Sequence, residues 1–134
     1  MAGTFTLEVA TPERLLIKES VEEVQIPAAG GYIGVLAEHA PLVSELGTGA
    51  LRYKVGGYER SLSICGGWVE VLPDRTRVLA TAGELADEID TKRAADSLHR
   101  AEERLAHPVP GTDIARALNA MKRAQARLAA ARQR

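Results

Sequence analysis

From Phe5 to Ala82 the apolar residues recur at every second position in short runs. Phe5, Leu7 and Val9 alternate with Thr6 and Glu8, and further runs cover 21–26, 33–36, 51–55, 58–64, 68–72 and 77–82. Period-2 alternation puts one row of side chains on each face of a pleated strand, so each run predicts a strand with one buried face. Two of the runs are separated by Gly56-Gly57, which supplies the positive φ that both central positions of a primed hairpin turn require; Pro73-Asp74 predicts a second turn. Between them, Pro27 to Arg52 reads as a flexible Ala-Ala-Gly-Gly loop, a strand, and a polar turn containing His39 and Pro41. Many short strands with little helix between them predict an antiparallel β-sandwich or flattened barrel. Its core is expected to be aliphatic, with Phe5 and Trp68 as the few large aromatic contributors.

After Glu84 the period changes. Ala94, Leu98, Ala101 and Leu105 follow the 3.6-residue repeat of one helix face, Asp90 is placed to cap that helix, and the pattern stops near Ala106. His107 to Asp113 (HPVPGTD) is a break, and Thr112 or Asp113 caps a second helix whose bulky apolar residues are Ile114, Leu118, Met121 and Leu128. Alanine fills most of the remaining apolar face. The expected fold is therefore α+β: a sandwich domain over 1–86 followed by a helical hairpin over 87–134. A large aliphatic side chain contributes about 1.5–3 kcal/mol on burial and alanine far less, so such a hairpin could leave the sandwich without unfolding it.

Charge sharpens this division. The 134 residues carry a net charge of −1, which points to neither nucleic acid nor an acidic lipid surface. The halves differ, however: residues 1–86 hold 7 Lys/Arg against 11 Asp/Glu, and residues 87–134 hold 10 against 7. The single cysteine, Cys65, is expected to be a small buried hydrophobe rather than a reactive thiol. The N-terminal MAGTFTLEV lacks the basic flank and apolar core of a secretory signal, and the longest mainly apolar run, Ala28 to Ala37, is too short to span a bilayer. His39, His99 and His107 lack metal-ligand spacing, and no nucleophile or phosphate-loop motif is present. Neither a catalytic nor a metal site is expected. The open alternatives are a regulatory or structural subunit and a free-standing β-sandwich ligand-binding module with a helical dimerisation tail.

Four stretches decide between them. LEVATPER, the block at Gly31–Leu42 (GYIGVLAEHAPL), GGWVEV at Gly66–Val71 and the I-D-x-x-R-A element at Ile89–Ala94 together resemble the epsilon subunit family of bacterial F-type ATP synthases, across essentially the whole chain. The resemblance implies a non-catalytic rotor subunit of the central stalk. Such a subunit binds gamma and the ring of c subunits, couples proton-driven rotation to ATP synthesis, and lies peripherally on the cytoplasmic face of the cell membrane, in contact with it only through the complex. By position, Ala29, Gly30, Gly31, Tyr32, Ile33 and Gly34 match the family's c-ring contact and His39 its gamma contact. Tyr32 stands where some members have an acid, so packing rather than charge is expected to dominate that contact. The mitochondrial counterpart shares the sandwich, but the I-D-x-x-R-A element favours the bacterial form.

The hairpin carries two further expectations. Lys92 and Arg93 occupy the first turn of a helix, where the positive end of the dipole disfavours cations. Some relatives bind ATP in the compact hairpin as a regulatory ligand, not a required cofactor; the matching residues here are Glu84, Ile89, Asp90, Arg93, Ala94, Arg100, Arg116, Arg123 and Arg127. Cations beside exposed N–H groups suit phosphate; without a ligand, Arg93 would pair with Asp96 or Glu88 and Lys92 would face solvent. From Ile114 onward there is no acid, while Arg116, Lys122, Arg123, Arg127, Arg132 and Arg134 are all basic. The resemblance implies that this helix extends to the catalytic alpha and beta subunits, where complementary charge would hold it as a brake on ATP hydrolysis.

Overall fold

The computed structural model describes residues 3–132. Eight strands, β1 (Phe5–Ala10), β2 (Leu15–Val21), β3 (Glu23–Ala28), β4 (Gly31–Leu36), β5 (Leu42–Glu45), β6 (Thr48–Val55), β7 (Tyr58–Leu72) and β8 (Arg75–Leu85), are followed by a 3-10 turn, Ala86–Glu88, and the helices α1 (Thr91–Ala106) and α2 (Ile114–Ala131). The strands follow the path β2-β1-β8-β7-β6-β3-β4, with β5 added on β7, and the sheet does not close. The fold is thus a flattened β-sandwich followed by two helices. One pairing departs from the antiparallel expectation: β1 runs parallel to β8.

Two strands serve both layers. The first half of β7, Tyr58 to Cys65, pairs with β6, whereas Trp68 to Val71 pair with β5. Between these halves Gly66 and Gly67 adopt φ of 68° and 109°, and Gly66 has no partner in the β8 register. This is a β-bulge. A Cβ on Gly67 would lie 2.0 Å from the Leu79 carbonyl oxygen, so only glycine fits there. Layer one is β4-β3-β6 with the first half of β7 and the end of β8 from Ala82 to Leu85, and layer two is β5, the second half of β7, the first part of β8, β1 and β2.

The layers enclose one aliphatic core in which Leu7, Val9, Val69, Val71 and Val78 meet Val24, Ile26, Leu51, Leu62 and Ile64. Phe5 is buried as expected, but Trp68 is 57% exposed and contributes to the outside instead. The cause is the positive-φ pair Gly66-Gly67, which turns the strand over: Leu62 and Ile64 are buried in the core at even positions before it, and Val69 and Val71 at odd ones after it. β2 and β5 are strands that alternation did not reveal.

Both hairpin turns form where expected, with Gly56 and Gly57 at φ of 57° and 83°, and Leu72 registered with Arg75 across Pro73-Asp74. The Asp90 carboxylate accepts from Arg93 N–H and the Asp113 carboxylate from Arg116 N–H, each at 3.0 Å, capping the two helices. α2 packs on β6, β7 and α1. All the buried residues of both helices are alanine: Ala94 and Ala101 on α1, and Ala117, Ala124, Ala126, Ala130 and Ala131 on α2. Ile114 and Leu118, expected to fill that face, are 43% and 39% exposed, because small side chains at the contact permit the closest approach.

Candidate nucleotide cleft and partner surfaces

The junction between sandwich and hairpin is tied at several points. Ile89 is buried against Ala50, Ala130 and Ala131, fixing the start of the hairpin to the outer face of layer one. The Ser61 hydroxyl donates to the Ala130 carbonyl oxygen at 2.6 Å, satisfying one of the carbonyls that a helix C-terminus leaves without a partner. The Glu88 carboxylate accepts from Arg14 at 2.5 Å and from Leu85 N–H at 3.1 Å, linking the β1–β2 turn to the 3-10 turn. These two bonds, the Arg14 bond first, hold the Glu88 carboxyl below its ordinary range.

Beside this junction lies a polar cleft of about 390 Å³. Its walls include Glu84 at the end of β8, Glu88 of the 3-10 turn, Asp90, Arg93, Ala94 and Ser97 around the start of α1, and Arg127 of α2. Arg127 Nε donates to Glu84 Oε1 at 2.6 Å, joining sandwich to hairpin. Lys92 does not face solvent alone: it pairs with Asp96 at 3.1 Å. Among the described residues Arg93 has no side-chain hydrogen bond or ion pair with either Asp96 or Glu88.

Of the nine residues matched to nucleotide binding, five therefore converge: Glu84, Asp90, Arg93, Ala94 and Arg127. Arg123 lines a neighbouring cavity of about 120 Å³ that shares Glu84 and Arg127 with the cleft and includes Cys65. Ile89 is 3% exposed and acts as an anchor. Arg100 donates to Ser97 at 3.0 Å, one step outside the wall. Arg116 precedes Arg127 by eleven positions, or about 16 Å along α2, and lies at the far end of the hairpin. Cys65 is half-buried and accepts from the Thr48 hydroxyl at 3.3 Å, rather than filling the core.

Sequence reasoning missed a second surface. On the outer face of layer two, Leu15 registers with Ala10, Ala10 with Leu79, and Leu79 with Trp68, forming an apolar row across four strands. Leu15, Leu79, Trp68 and the nearby Val43 are 53–66% exposed. An uncovered row of this kind marks an interaction surface. Its signal lay in Gly66-Gly67, whose positive φ turns Trp68 outward. His39 lies in the loop between β4 and β5 and donates from Nδ1 to the Ala40 carbonyl at 2.7 Å.

Ala29 and Gly30 form the β3–β4 turn, and Gly31–Gly34 begin β4. Tyr32 is 55% exposed and borders α2 beside Lys122, Gln125 and Ala129. Among the described residues, Arg116, Lys122, Arg123 and Arg132 form no ion pair; Arg134 lies outside the described residues. No helix of the described residues is long and apolar enough to cross a membrane, and none of their His, Cys, Asp and Glu side chains form a group of three or more able to hold a metal.

Comparison with known proteins gives a consistent result along the chain. Residues 4–86 match the family described as ATP synthase, Delta/Epsilon chain, beta-sandwich domain, and residues 87–132 match its long alpha-helix domain. The chain is 54% identical over 131 residues to the ATP synthase epsilon chain of Solibacter usitatus, covering 98% of each, and 43% identical over 132 residues to that of Desulfitobacterium hafniense strain Y51, covering 98% of this chain and 99% of the relative. In fold it is similar to a chain of the Euglena gracilis mitochondrial ATP synthase structure containing OSCP, F1 and c-ring, with a TM-score of 0.79, 23% identity, and coverage of 93% of this chain and 79% of that one.

Proposed function

Since this chain belongs to the ATP synthase delta/epsilon family, a stalk component and not one of the catalytic chains, we propose that it is a rotor subunit whose sandwich grips the stalk and whose hairpin regulates hydrolysis in response to ATP. Family membership removes the free-standing ligand-binding module from consideration. The sandwich joins gamma through the apolar row Leu15–Leu79–Trp68 with the nearby Val43, and through His39 of the β4–β5 loop, and meets the polar loops of the c ring through 29–34. It thereby couples proton-driven rotation to synthesis. Its place is the cytoplasmic face of the bacterial membrane, held there only by the complex.

The hairpin supplies the regulation. Compact, it offers ATP the cleft in which the Arg93 guanidinium is unpaired among the described residues and Arg127 borders the same space; the convergence of five motif-matched residues there is the observation that carries this reading. A ligand present at 100 times its dissociation constant stabilises the form it binds by about 2.7 kcal/mol, which suffices to control an alanine-built contact. Extended, α2 presents an unbroken series of cations to acidic segments of the catalytic alpha and beta subunits and blocks hydrolysis. Arg123 and Arg127 do not simply repel each other in the compact form, because Glu84 neutralises Arg127.

Two measurements test the reading. Calorimetry with ATP should show binding to the full chain that is weakened by Arg93→Ala and by Arg127→Ala; no heat at millimolar ATP removes the sensing. Hydrolysis by the reconstituted catalytic complex should be inhibited by the native chain at low ATP and released when Arg116, Lys122, Arg123 and Arg127 are replaced by Gln. Equal inhibition by both chains at moderate salt would show that charge is not the brake.

A further inference from the structure

Tyr32 stands where the β3–β4 hairpin meets α2. It registers with Pro27 across the β3–β4 pair. A Cβ on Gly49 would lie 2.5 Å from the Tyr32 hydroxyl and 2.9 Å from Pro27 Cβ, so the missing side chain makes the room in which the phenol is seated. From there the ring borders a cavity of about 220 Å³ that α2 walls with Lys122, Gln125, Ala126 and Ala129. The polar groups around this space are unevenly used. The Thr48 hydroxyl donates to Cys65 Sγ at 3.3 Å. Among the described residues, the Tyr32 hydroxyl, the Lys122 ammonium and the Gln125 side-chain amide have no hydrogen bond or ion pair, and no Asp or Glu lines the cavity. Three donors, one of them a cation, thus border a space that offers them no acid. A carboxylate is the group that can accept from all three.

We propose that this cavity receives a carboxylate carried by a polar loop of the c ring, a step that rests on the reading of residues 29–34 as the c-ring contact. Tyr32 belongs to that segment, so the cavity continues the same surface onto α2. The seat is composite. Its phenol comes from the sandwich and its cation from the hairpin, and only the compact form brings the two together. When the hairpin extends, Lys122 leaves with α2 and the loop keeps Tyr32 alone. The compact hairpin therefore strengthens the grip on the c ring. Because coupling between two binding events is reciprocal, the docked c ring opposes release of the hairpin by the same factor. Tyr32 gains from α2 the charge that its own side chain lacks, so the contact is not one of packing alone.

The test uses the full chain in complex with gamma, titrated against purified c rings in neutral detergent, with gamma alone as the reference. Lys122→Gln and Tyr32→Phe should each weaken binding about threefold, the range of a partly exposed charged contact. The two losses should not add, because both residues hold the same carboxylate. Saturating c ring should slow tryptic cleavage after Arg104 in α1 of the native chain about threefold and leave that of Lys122→Gln unchanged. Equal binding by the native chain and both variants, or losses that simply add, overturns the inference while the c-ring reading of 29–34 stands. Cleavage of the native hairpin that ignores the c ring overturns it as well. If Lys122→Gln instead abolishes binding to anionic lipid vesicles free of c ring, the cavity takes a lipid headgroup and the inference falls. If the c ring binds gamma equally with and without the chain, the inference and the reading beneath it fall together.

Discussion

Thr76 is fully buried in β8, and its hydroxyl has no hydrogen-bond partner among the described residues. A buried polar atom without a partner loses its hydration uncompensated, at about 1–3 kcal/mol. Thr76→Val keeps the shape and removes that loss, so thermal unfolding should shift upward by about 3–5 °C. Trp68 makes the opposite case. Since it is 57% exposed, Trp68→Thr should leave unfolding of the isolated chain within about 0.5 kcal/mol of native. Binding to the stalk partner should weaken by about 2 kcal/mol or more, the loss expected of a buried aromatic anchor, as titration against gamma would measure. Sequence reasoning misassigned this residue for a definable reason. Extending the even inward phase of Leu62 and Ile64 to position 68 places Trp68 in the core, and only the conformation of Gly66-Gly67 reveals that the phase has slipped.

At the level of elements, what was legible followed from local chemistry. The caps Asp90 and Asp113 and the Gly56-Gly57 turn act within a few residues of themselves, so sequence alone places them. β5 is four residues long and owes its existence to pairing with residues 68–71, far along the chain, which no local pattern records. β2 escaped because Leu16 and Ile17 are both buried in succession beside an irregularity in the β1 register, breaking the alternation. Five of the nine proposed nucleotide contacts converge because the motif is compact; helix length separates Arg116 from them. The 3-10 turn carries a pH prediction. Bonds from Arg14 and Leu85 depress the Glu88 carboxyl, so their stabilisation is fully present above its ordinary value near 4.5 and is lost as pH falls through the lowered one. Proteolysis of the hairpin should therefore quicken as pH drops from 6 to 3, using an acid-stable protease. Glu88→Gln should be more susceptible at neutral pH and show a flatter profile.

On the scale of the whole molecule, two faces of one sandwich have been given different fates. The outer face of layer one is covered by α2, and that of layer two carries an exposed apolar row. The core cluster lies entirely between Phe5 and Leu85, so a chain ending at residue 86 should fold cooperatively and bind gamma with nearly native affinity. Loss of gamma binding by that truncated chain would contradict the division of labour proposed here. The alanine seam also has a consequence for how the proposed release of the hairpin responds to temperature. The heat-capacity change of any conformational transition grows with the apolar area it exposes, and a contact whose fully buried helical residues are all alanine exposes little. Release of the hairpin should thus proceed with a nearly constant enthalpy, while melting of the sandwich follows a strongly curved stability profile. If the hairpin regulates as proposed, its release keeps a nearly linear thermal response, leaving ligand concentration as the variable to which it is tuned.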